Sequence, residues 1–71
     1  MRTMTFTVEY EQEDDGRWLA EVLEMPGVLA YGQSSDEAIA RAQALALRVL
    51  ADRIEHGESA HEFVNISFAA A

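Results

Sequence analysis

Pro26-Gly27 constrains this chain more tightly than any other pair of residues. Proline presets φ at the first position of a corner, and glycine tolerates the positive φ that a type II turn requires at the second. Arg17 to Glu24, upstream, reads as an extended run, and Val28 to Tyr31, downstream, as a second short one that stops at Gly32. Ser34-Ser35-Asp36-Glu37 follows, a serine with a glutamate three residues on, the signature of a capping box that opens a helix. Strand, corner, strand, glycine and capped helix therefore succeed one another with almost no slack.

The flanking segments complete the pattern. Met4, Phe6, Val8 and Tyr10 alternate with Thr5, Thr7 and Glu9, which predicts a half-buried strand. Glu11 to Asp15 is acidic and unable to pack, and with Gly16 it predicts a hairpin loop. In the next strand Trp18, Ala20 and Val22 share one face, with Trp18 expected against Tyr10 or Phe6. Leu19, Glu21 and Leu23 share the other face, which leaves two leucines outward unless another surface covers them. Ser35 to His56 predicts a helix with an apolar stripe of Ile39, Ala42, Ala46, Val49 and Leu50, widened by Leu45, Leu47 and Ile54. Glu37 with Arg41 and Arg48 with Asp52 are spaced as i,i+4 pairs, and Gly57 is the expected stop. Phe63 to Phe68 alternates again, with frayed alanines expected after it.

These elements predict an α+β fold of order β-β-β-α-β in a single domain spanning residues 1–71. A three-stranded antiparallel meander is joined by a fourth strand, with one long helix packed on one face and a right-handed crossover. If the last strand lies parallel beside the first, the sheet order is 3-2-1-4. A domain this small buries only about 60% of its unfolded surface, so a homodimer or tetramer is expected. Leu19, Leu23 and Tyr31 are the candidate contacts between copies.

Thirteen acidic residues against five basic ones give a net charge of −8. Nucleic-acid binding depends on Lys and Arg neutralising phosphates, so no direct nucleic-acid contact is expected. The chain has no cysteine, which leaves no disulfide and no thiolate metal site. No apolar run approaches the roughly 20 residues of a membrane span, and no secretory signal opens the chain, so a cytoplasmic protein without membrane contact is expected.

A strand ending in aromatic and acidic residues, a glycine hairpin, a second strand, Pro26-Gly27, a short strand and Gly32-Gln33-Ser34-Ser35-Asp36-Glu37-Ala38 together resemble the N-terminal domain of the HicB-like antitoxins. The resemblance runs roughly over residues 4 to 68, nearly the whole chain. Glu24 stands two before the proline, where that family has Asp or Glu, and Ser34 stands where it commonly has Thr. Met25 departs from the small apolar residue common there. The resemblance implies a partial ribonuclease H-like sheet and a function without chemistry. HicB-like proteins bind and neutralise a small basic HicA-like endoribonuclease, whose fold resembles a double-stranded RNA-binding domain, by covering its RNA-binding surface. The candidate partner-binding residues, chosen for charge and position, are Glu11, Glu13, Asp14, Asp15, Glu21 and Glu24. Full-length relatives commonly carry a C-terminal DNA-binding domain; this sequence stops after the fourth strand, so promoter binding by this polypeptide alone is not expected.

Other chemistries fare worse on the residues. Glu9 and Glu21 could lie side by side on neighbouring strands, as carboxylates of a metal-dependent nuclease would, but such a site needs three or four converging acids. His56 and His61 flank a glycine turn without a third ligand, and are expected as a helix-end cap and an exposed side chain. No catalytic, metal or cofactor-binding residue is therefore expected. The alternative to the antitoxin reading is a stand-alone oligomeric scaffold or ligand-binding domain of the same fold.

Overall fold

The computed structural model describes residues 2–57 and 63–71. The elements run β1 (Arg2–Gln12), β2 (Trp18–Val22), β3 (Leu29–Gly32), α1 (Ser35–Glu55) and β4 (Phe63–Ala70). They form an α+β fold whose four-stranded mixed sheet has the order β3-β2-β1-β4. β1–β2 and β2–β3 pair antiparallel, while β4 pairs parallel to β1. The predicted element order and sheet order are those observed.

Register decides which residues meet the helix. Val8 lies opposite Val22 and Tyr10 opposite Ala20, so the even residues of β1 share a face with the even residues of β2. That face is the core: Phe6, Val8, Ala20, Val22, Met25 and Val28 are buried against Ala38, Ala42, Ala46 and Leu50. Alanine at three successive i+4 positions lets the helix axis approach the sheet closely, and Gly32 takes this to its limit. A Cβ on Gly32 would stand 2.5 Å from the backbone nitrogen of Ala38. Trp18 packs beside Tyr10, ring centroids 6.4 Å apart, and Phe6 beside Phe68 at 5.8 Å.

The corner at Pro26-Gly27 is a pair of linked turns. Met25 donates its N–H to Val22 O at 3.1 Å, and Val28 donates to Met25 O at 3.0 Å. Gly27 has φ +88°, as the third position of a type II turn demands. Met25, between the turns, is buried and plugs one end of the core.

The helix begins as its capping box predicts. Ser34 is extended (φ −137°, ψ 164°), and its side chain accepts the Glu37 N–H at 3.1 Å. The return bond differs from the expectation: Glu37 Oε1 accepts the N–H of Gln33 at 2.7 Å, one residue before the cap. Glu37 also pairs with Arg41 at 3.4 Å. Asp52 faces His56 at 3.3 Å, whereas the sequence pairs it with Arg48. Gly57, at φ +70°, closes the helix by donating to Ile54 O at 3.1 Å.

Three further expectations are corrected. β1 runs two residues further at each end than the alternation indicates, because Gln12 still pairs with Trp18 and Arg2 with Phe63. Ala69 and Ala70 are not frayed; they pair with Thr7 and Val8, and the Ala71 N–H reaches Val8 O at 2.9 Å. Leu47 and Ile54 do not join the core but stay exposed, since α1 lies mainly on β2 and β3 and its outer flank overhangs.

Candidate functional site

The sheet face turned away from α1 is built by the odd residues of β1, β2 and β3. Register arranges them in two rows. Glu11, Leu19 and Tyr31 form one, and Glu9, Glu21 and Leu29 the other. Leu29 and Tyr31 are exposed, as is Leu23 just beyond β2. A depression on this face is lined by Glu9, Tyr10, Glu11, Leu19 and Glu21. Glu9, Glu11 and Glu21 therefore gather on the β1 side of this face and Leu19, Leu29 and Tyr31 on its β3 side, with no strand or helix of the described residues packed over them.

Glu9 and Glu21 face each other across a hydrogen-bonded pair. Leu23 N–H donates to Thr7 O, so the pairs spaced by two from it, Glu9–Glu21 and Glu11–Leu19, share that bonding pattern. Like charges directly opposite one another destabilise a sheet. The Glu9–Glu21 contact is thus a local cost built into the middle of the face.

The residues expected to bind a partner separate into three groups. Glu11 and Glu21 lie on the outer face with the apolar strip. Glu13 and Asp14 sit in the β1–β2 loop, where Gly16, at φ +92°, donates to Glu13 O. Asp15 and Glu24 already have local partners. The Asp15 carboxylate accepts the Arg17 backbone N–H at 3.0 Å and its Nε–H at 2.7 Å, and these bonds hold its carboxyl below the ordinary range. The same guanidinium lies 4.3 Å from the centroid of the Tyr31 ring. Glu24 accepts the Thr7 backbone N–H at 2.7 Å and the Thr7 hydroxyl at 2.8 Å, which lowers its pKa in turn. Glu24 ties the corner to β1, and Asp15 restrains the arginine that lies over Tyr31.

The residues proposed as contacts between copies, Leu19, Leu23 and Tyr31, lie on the same face as Glu21, so charge and apolar area are not two separate surfaces. Sequence reasoning missed Leu29, which stands opposite Glu21 and is exposed. It considered Glu9 only as a metal ligand. The signal for Leu29 was the corner itself: two linked turns between Val22 and Val28 fix the register that places it there. Glu9 and Glu21 are neighbours as expected, yet among the described residues no three acidic, His or Cys side chains could hold a metal ion. His56 Nδ1 lies 2.7 Å from Asp52 O at the helix end, and His61 lies outside the described residues.

No protein-family model, no curated protein and no solved structure matches the chain. Among the described residues no helix is long and apolar enough to cross a membrane.

Proposed function

We propose that this chain is an antitoxin-type binding protein that neutralises a small basic endoribonuclease of the HicA-like kind by lying over its RNA-binding surface. One observation carries the reading: the outer sheet face sets Glu9, Glu11 and Glu21 side by side with the apolar Leu19, Leu29 and Tyr31. A surface that binds RNA presents Lys and Arg interleaved with apolar or aromatic side chains. The outer face is the complement of such a surface, carboxylates against the cations and leucines against the apolar ground between them. Inhibition is steric and electrostatic, and this chain does no chemistry of its own. Charges at the rim of such an interface set the rate of encounter more than the lifetime of the complex.

The test is a purified HicA-like ribonuclease with this chain added in increasing amount. RNA cleavage should fall to zero near equimolar ratio, and the association rate should drop steeply between low and high salt as the charges are screened. Replacing Glu9, Glu11 and Glu21 with glutamine should slow association further. Full cleavage activity in the presence of excess chain overturns the proposal and leaves the oligomeric scaffold as the better reading.

A further inference from the structure

The two edges of the sheet are protected unequally. β3 is only four residues long, and one of its outward groups is already taken. Val22 N–H donates to Val28 O, so by the alternation of an antiparallel pair Leu19–Tyr31 is not hydrogen-bonded and Tyr31 turns its carbonyl to the open edge. Arg41 Nη1 donates to that carbonyl at 3.0 Å. A short strand with a charged side chain bonded to its rim is a poor template for another strand.

β4 has neither protection. It is eight residues long, Phe-Val-Asn-Ile-Ser-Phe-Ala-Ala, without a charge or a proline. Its one irregularity with β1 is confined to the Arg2/Thr3 end. Because Ala71 N–H reaches Val8 O, the odd residues of β4 turn their backbone groups to β1. The even ones, Ile66, Phe68 and Ala70, turn theirs outward, where no strand among the described residues meets them. Ile66 is exposed on the helix side of the same strand.

From this asymmetry we infer that β4 pairs with β4 of a second copy of this chain, antiparallel about a two-fold axis, to give one continuous eight-stranded sheet. Charge selects the occupant and the edge together. Each copy carries −8, so most approaches of two copies bring like charges together, but residues 63–70 are neutral. An antiparallel two-fold is self-complementary, so each outward N–H of one β4 meets an outward carbonyl of the other. With the axis at Ser67, Ile66 of each copy lies opposite Phe68 of the other along the helix side of the joined sheet. The outer face stays open in this dimer. The inference does not depend on the toxin-binding proposal.

The experiment is light scattering on the 71-residue chain at high micromolar concentration, paired with amide hydrogen exchange. The expected mass is twice the 7.9 kDa of one chain. The amides of Ile66, Phe68 and Ala70 should be protected when concentrated and should lose that protection on dilution. Ala70→Pro removes one outward N–H and leaves the ladder to β1 intact, and Ser67→Glu sets like charges across the two-fold. Both variants should give the single-chain mass while circular dichroism shows them folded. Leu29→Glu, on the outer face near the other edge, should keep the doubled mass. A single-chain mass for the unaltered protein overturns the inference. So does a doubled mass that survives Ala70→Pro and is lost in Leu29→Glu, or unprotected β4 amides in a chain of doubled mass.

Discussion

Gly32 owes its identity to the helix and not to its own backbone, which has no positive φ. A methyl group there would press on the Ala38 nitrogen at 2.5 Å, a main-chain atom in the first turn of α1 that cannot step aside alone. Gly32→Ala should therefore cost about 2 kcal/mol, the usual penalty of overpacking, seen as a lower urea midpoint with an unchanged slope. Ser34→Ala should cost about 1 kcal/mol, since it strips the acceptor from the Glu37 N–H. Glu24 has a pH signature. Its folded pKa lies below its ordinary 4.5 because Thr7 donates twice to the charged form. That contribution is complete above about pH 4.5 and is lost as pH falls through the folded value. Glu24→Gln should lower the urea midpoint at neutral pH, with the gap to the unaltered protein closing below the ordinary pKa. A gap that stays constant into acid would show that shape, not charge, is what Thr7 requires.

At the scale of elements, the corner between β2 and β3 holds one end of the core through one side chain. Met25 is among the largest fully buried residues and sits between the two linked turns. Met25→Ala should cost about 3 kcal/mol as a cavity opens under α1, again read from urea unfolding. Pro26-Gly27 and the Ser34–Glu37 box were legible from the sequence because each is local: two dihedral requirements, and one side chain answering the N–H three residues on. Leu47 and Ile54 were not. Periodicity gives the width of an apolar stripe, but how much of that stripe the sheet covers depends on where the helix axis lies over the strands. The alanines after Phe68 were misread for the opposite reason. Their weak strand propensity says nothing of the β1 backbone waiting opposite, where Val8 supplies an acceptor to Ala71. The candidate site divides the same way. Its acids were visible as a charge excess, but Asp15 and Glu24 were committed to Arg17 and Thr7 by folding, which no count of carboxylates reveals.

For the molecule as a whole, stability and the proposed binding make opposite demands on Glu9 and Glu21. The pair lies directly opposed on an acidic chain, and no cation among the described ion pairs relieves it. If the outer face existed only to be solvated, nothing would favour keeping two carboxylates in register in its centre. If it meets a basic surface, the same repulsion is exchanged for attraction on binding. Glu21→Gln should therefore stabilise the isolated chain by about 0.5 kcal/mol while slowing its association with the basic partner proposed above. Added salt should raise the urea midpoint of the unaltered protein, because screening over a Debye length of about 8 Å reaches a pair this close to solvent. In Glu21→Gln that salt response should shrink. The two measurements separate the causes: a variant that is more stable yet binds as fast would show that the carboxylate is a tolerated cost with no role at the interface. One that is less stable would mean that Glu21 holds the sheet together in a way the Glu9 contact does not account for.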